Sequence, residues 1–213
     1  MNLSRTARLC ATTLTVTLTA ILIAAPNPAA VEPPATIAEK TKGLLKTDGL
    51  FPFYWDAASG KLFLEIPHVE VEFLYVNSLR TGLGSNPVGL DRGQLGRERV
   101  VKFVRVGPRM LLIQPNLNFR AVTDNPDERR AVEESFAQSV LWGGDIVAEE
   151  GGRALVDFSS FLLRDAHDVS GRLDRSGQGS FSLDKDRSVI DVARCKGFPR
   201  NTELEALLTF AGA

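Results

Sequence analysis

The sequence predicts an α+β, β-rich fold: a largely antiparallel sheet built from hairpins, with one main helix at about 125–142 and a short second helical segment. Three observations carry this. From Lys46 onward, short runs of aromatic and β-branched residues alternate with glycine-, proline- and asparagine-bearing turn signals. A single stretch repeats apolar residues every four positions behind a capped start. Finally, about 165 residues follow the N-terminal lead, which is ample for one core and marginal for two.

The chain opens with Arg5 and Arg8, an apolar run from Leu9 to Ala25 and small residues after it. That layout predicts a secretory signal over residues 1–30, cut after Ala30, and a periplasmic or secreted location. The run is short for a membrane span and holds five threonines, so no membrane contact is expected beyond it, although an uncleaved anchor stays open. A Pro/Ala-rich lead at 31–46 precedes a single β-rich domain at 47–213.

In FYWDAASGKLFLEIP, two apolar flanks enclose Asp56 to Gly60, and a hairpin is expected there. EVEFLYVNSL predicts a strand with Val71, Phe73 and Tyr75 on one side. VVKFVRVGPRMLLIQ predicts a second hairpin bent at Gly107-Pro108. Its first strand, apolar on both faces in part, should be covered on both sides for part of its length. The main helix starts at Asn125, with Pro126 at the first helical position and Glu128 three residues past the cap. Val132, Phe136 and Val140 form its apolar stripe, expected against the sheet. Arg129/Glu133 and Arg130/Glu134 are spaced as ion pairs, and Gly143-Gly144 is expected to stop the run. DIVAEEGGRALVDF predicts a hairpin, SSFLLRDAHDVSGRL a short helical or irregular piece, and SFSLDKDRSVIDV another hairpin. CKGFPRNTELEALLTFAG predicts a last strand whose abrupt end looks cut and whose edge could mediate self-association or aggregation.

Charge narrows the function classes. The chain has 25 basic and 26 acidic residues; with the two leader arginines gone, 23 basic remain against 26 acidic. That near-neutral balance argues against nucleic acid, whose affinity comes mainly from clustered Lys and Arg, so no nucleic-acid partner is expected. Cys10 lies in the leader and leaves Cys195 without a partner for an internal disulfide.

The segment RTGLGSNPVGLDRGQLG, Arg80 to Gly96, has five glycines. It fits neither nucleotide loop. Pro87 stands where the dinucleotide fingerprint needs its third glycine, and Leu90 and Asp91 stand where a Walker loop needs Lys and Ser or Thr. The strand that follows offers no helix N-terminus for an anion. A structural loop is expected, with Asn86 and Asp91 capping turns, and Arg80, Asn86, Asp91, Arg92 and Gln94 are its candidate interaction residues.

Metal and catalytic signals are sparse. Only His68 and His167 are present, ninety-nine residues apart, and HVEVE at 68–72 lacks the second histidine of a zinc helix, so an edge-strand histidine is the expectation. Asp165 and Asp168 flank His167 in DAHD, which could serve as a proton relay or a weak metal site, although a solvated polar turn is the commoner use of that composition. No serine sits in a nucleophile elbow, and Cys195 has no histidine nearby in sequence. Phe51, Phe53, Tyr54 and Trp55 form an aromatic cluster that suits a core patch or a peptide or glycan platform. No catalytic residue, metal or cofactor is expected.

Taken as an ordered series, GLFPFYWDAASGKLFLEIP, EFLYVNSLRTGLGSNPVGLDRGQLG, VGPRMLLIQPNLNFRA, AVEESFAQSVLWG, FLLRDAHDV and FPRNTELEALLTFAG resemble the uncharacterised N-terminal domain of large exported bacterial zinc-dependent metalloproteases. The resemblance runs from about Gly49 to Gly212. It implies a region between a signal sequence and a metzincin-like catalytic domain with an HExxH helix. That catalytic domain is not in this sequence, so no catalytic residue transfers. The implied role is a non-catalytic accessory or pro-region-like domain, in a truncated or stand-alone copy, whose partner is a metallopeptidase domain. The alternatives are a secreted peptide- or glycan-binding module using the aromatic cluster and the glycine-rich loop, and an enzyme centred on His167.

Overall fold

A computed structural model describes residues 35–84 and 88–212. The expected leader and Asn86 lie outside these residues. The β-rich, largely antiparallel architecture is as the sequence predicts. Helix α1 (Ile37–Lys40) leads into β1 (Leu45–Thr47), β2 (Phe53–Asp56), β3 (Lys61–Ile66), β4 (Glu72–Tyr75), β5 (Arg99–Val106) and β6 (Arg109–Gln114). Then come α2 (Pro126–Ser135), β7 (Ser139–Glu150), β8 (Arg153–Asp157), α3 (Ser159–Leu162) and α4 (Val169–Arg175). The remaining strands are β9 (Phe181–Ile190), β10 (Lys196–Phe198), β11 (Asn201–Glu203) and β12 (Ala206–Gly212).

Eight strands form one sheet in the order β1-β2-β3-β8-β7-β6-β5-β4, and every pairing is antiparallel. Its hairpins close where glycine supplies a left-handed backbone: Gly60 between β2 and β3, Gly107 between β5 and β6, Gly151 and Gly152 between β7 and β8. Strand β7 serves two ladders in turn. Residues up to Asp145 pair with β6, and residues from Ile146 pair with β8. Register shifts at Leu112/Ile113 and at Ile146/Ala148 flank the handover, as expected where a strand turns a corner between half-sheets.

The inner faces of both halves share one core. Phe53, Leu62, Leu64, Ile66 and Val156 come from the β1-β2-β3-β8 side, and Val101, Phe103, Met110 and Leu112 from the β4-β7 side. Phe158 and Phe161, on and beside α3, add to it, stacked at 4.5 Å between ring centroids. On the outer face of the first half, α1 lays Ile37 against Tyr54, Phe63, Ala148 and Leu155. Thr36 caps that helix by accepting from the Glu39 amide at 3.1 Å, while Glu39 accepts from the Thr36 amide at 3.0 Å.

Several expectations are corrected. The main helix ends at Ser135 rather than near 142, because Val140, Leu141 and Trp142 join the β6 ladder and sheet pairing outweighs the fourfold apolar repeat. Gly143 is no helix stop: a Cβ there would stand 2.8 Å from Leu111 Cδ2, so the glycine lets that side chain lie across the strand. Helix α2 buries none of its residues and does not lie on the sheet. Arg130 pairs with Asp127 and Glu134, but Arg129 turns back to the Thr123 and Asp124 carbonyls instead of meeting Glu133.

SFSLDKDRSVIDV is one strand and not a hairpin. Opposite Leu207 to Thr209, β9 runs all the way from Val189 back to Asp184, and the extra residues bulge out. The Arg187 amide and Ser188 hydroxyl bind Asp184 there, so the turn signal was real but local. The C-terminal stretch holds a hairpin, β10–β11, before its last strand, and that strand is paired with β9. Val71 is exposed, while Phe73 and Tyr75 face the core.

Candidate functional site

The glycine-rich segment folds back on itself. The Leu79 amide donates to Gln94 O at 2.8 Å, the Gly93 amide to Leu79 O at 2.6 Å and the Gly96 amide to Asn77 O at 2.6 Å. Gly82 must be glycine because a Cβ would meet the Arg92 amide nitrogen at 2.6 Å and Leu90 O at 2.7 Å. Val88 and Leu90 then insert against Val169 and Leu173 of α4, with Leu79, Phe181 and Phe210 around them. Arg172 locks the contact, donating from Nη1 to Gly89 O at 2.6 Å and from Nε to His167 O at 3.1 Å. These backbone and apolar commitments make the segment a structural loop.

Its candidate interaction residues do not converge. Arg80 pairs with Glu205 at 2.6 Å. Gln94, not Asp91, caps the turn, with its Oε1 accepting from the Asp91 amide at 3.2 Å. The Asp91 and Arg92 side chains are exposed.

DAHD is a helix junction. Asp165 accepts from the Val169 and Ser170 amides at 2.7 and 2.9 Å, a cap that satisfies the start of α4. Asp168 takes a left-handed backbone with φ 55° and pairs with Arg175 at 2.5 Å. That ion pair holds its carboxyl below the usual aspartate range. With both carboxylates so engaged, no relay to His167 is built. Burial pushes the His167 ring below the usual imidazole range, and its Nε2 is buried with no partner among the described residues. His68 is exposed in the bend between β3 and β4 rather than within an edge strand.

The aromatic cluster divides across its strand. Phe51, Phe53 and Trp55 pack in the inner core, and Tyr54 lies in the outer cluster under α1. Cys195 Sγ accepts from the Glu205 amide at 3.3 Å, and burial pushes its thiol up. Among the described residues, no three His, Cys, Asp or Glu side chains come together as a metal site.

What sequence reading missed is the bare outer face of the second half-sheet. Alternation puts Leu74, Val100, Val104, Leu111, Ile113 and Val140 opposite the core-facing residues of β4 to β7. Among the described residues, no helix packs across them as α1 does on the first half. Leu74 is 67% exposed, Val140 58% and Val106, at the end of β5, 56%; the others are half-buried. Lys102–Glu70 at 2.5 Å and Arg109–Asp145 at 3.4 Å place charges of both signs about this surface. The sequence signal was present in the two-sided apolar character of β5, which implied cover on both faces. Such a surface can dock an apolar partner.

Beside it, residues 115–138 form an arm between β6 and β7. Phe119 and Phe136 stack there at 3.9 Å, and the arm lines a half-open cavity of about 270 Å³ that Leu117 and Val132 also border.

No curated protein and no solved structure matches this chain. One family model does, over residues 93–213, the stretch from the end of the glycine-rich loop through β12. The chain therefore belongs to the family described as Domain of unknown function (DUF5117).

Proposed function

We propose that this chain is a non-catalytic accessory domain that docks the peptidase domain of an exported zinc-dependent metalloprotease. The observation that carries the reading is the aliphatic face of β4 to β7, which no helix among the described residues covers. An antiparallel sheet can show one face to water, but that face is then normally polar. Here it presents Leu74, Val100, Val104, Leu111, Ile113 and Val140, a composition suited to a covering partner. The ordered sequence blocks that resemble the N-terminal domain of such proteases supply the identity of the partner.

The test is titration calorimetry of the purified chain against an HExxH-bearing exported peptidase domain from the same genome, with wild type compared to a Leu74→Lys/Val140→Lys double variant. The expected result is one-to-one binding that weakens at least tenfold in the variant. Its folding stability should stay within about 1 kcal/mol, because both positions are already largely exposed. Wild-type binding that the two lysines leave unchanged would remove this face from the interface. No binding at all would sink the accessory role.

A further inference from the structure

The packing of Val88 and Leu90 on Val169 and Leu173 is held by a small number of polar contacts around His167. Asn77 Nδ2 donates to Ala166 O at 3.2 Å, and Arg172 ties His167 O to Gly89 O. The ring itself is wedged at this seam. The Ser78 backbone lies beside it, while its Nε2 is enclosed and has no partner among the described residues. A proton added at Nε2 would create a buried donor with nothing to bind, and a cation facing the Arg172 guanidinium. Asp165 is the opposing charge acting on the ring, but its carboxylate oxygens already accept from the Val169 and Ser170 amides. Asp168 is turned to Arg175. From the loop side, Asn77 and Ser78 offer only neutral groups.

We propose that His167 is an acid-sensitive clasp, whose protonation releases residues 77–79 and 88–96 from α4 and uncovers the Val88, Leu90, Val169 and Leu173 cluster. The direction follows from linkage. Burial, with a smaller push from Arg172, lowers the affinity of the folded ring for a proton, against the pull of Ser78 and Asp165. The open form has the ordinary imidazole value near 6.5 and binds the proton more readily. The stabilisation is therefore fully present above about pH 6.5 and is lost as pH falls through the folded value.

Hydrogen exchange read by mass spectrometry from pH 7.5 to 5, corrected for the intrinsic rate, tests this. In the wild type, protection of peptides covering 88–96 and 169–176 should fall by up to about tenfold per pH unit below about pH 6.5, the limit for one proton, and level off once the folded ring is itself protonated. Peptides of the β2–β3 hairpin should keep theirs. His167→Phe should hold the clasp peptides level over the same range, and His68→Gln, at the exposed histidine, should behave as wild type. Protection that stays constant in the wild type overturns the proposal, as does an equal fall in His167→Phe or a parallel fall in the β2–β3 hairpin. Should His167→Phe fail to fold by circular dichroism, His167→Gln takes its place. An acid-dependent fall in that variant is equally fatal.

Discussion

Glu65 offers the sharpest test of the packing. Its side chain is 3% exposed, on the outer face of β3, and it accepts from Tyr54 Oη at 2.7 Å and from Arg153 Nη1 at 2.7 Å. Burial, then the hydrogen bond to Glu65, pushes the Tyr54 hydroxyl far above its usual range, so the phenol remains a donor. Replacing Arg153 with Met keeps much of the stem and removes the cation. Breaking a fully buried pair costs about 3–5 kcal/mol, because the surviving charge is stranded. The Arg153 side chain is 41% exposed, so water reaches one end and screens the pair. We expect about 2 kcal/mol, or a fall of about 4–8 °C in Tm for a domain of this size. Urea unfolding of wild type, Arg153→Met and Glu65→Leu/Arg153→Met would measure it. The double variant should recover more than half of the loss, because no carboxylate is left to strand. An Arg153→Met variant within 0.5 kcal/mol of wild type, a threshold of about the scatter among surface substitutions, would refute the account.

Two further outcomes follow from the fold. Replacing residues 115–138 with a four-residue turn should leave urea stability unchanged or raise it by roughly 1 kcal/mol, since Gln114 already faces Ser139, α2 buries no side chain and a shorter loop closes at lower entropic cost; a loss above about 2 kcal/mol would mean the arm holds the sheet together. Gly82→Ala should cost about 1–3 kcal/mol in the same assay, because its Cβ would press on the backbone of Leu90 and Arg92, and a neutral result would show the loop to be looser than described.

The hairpins were legible because each turn carries its own chemistry: Gly60, Gly107 and Gly151-Gly152 sit where the chain must turn left-handed. Helix α2 was legible at its start, where Asn125 accepts from the Asp127 amide at 2.9 Å, but not at its end. The fourfold spacing of Val132, Phe136 and Val140 satisfies a helix and does not forbid a strand, and only the long-range pairing of Ile113 with Val140 decides between them. The same limit hid the bulge in β9, whose Asp184–Arg187 turn looks like a hairpin until β12 is seen alongside. The bare face was the least legible feature. A sequence shows that a strand is apolar on both sides, whereas the absence of a covering helix on β4 to β6 among the described residues is a property of where the other described elements went.

Strand β8 carries a consequence for how this gene can be dissected. It lies between β3 and β7, yet β3 precedes residue 93, where the family match begins. A fragment cut at that boundary would lose the aromatic and aliphatic half of its interior and leave β8 with one flank open to solvent. The stretch recognised by similarity is thus shorter than the sheet it belongs to.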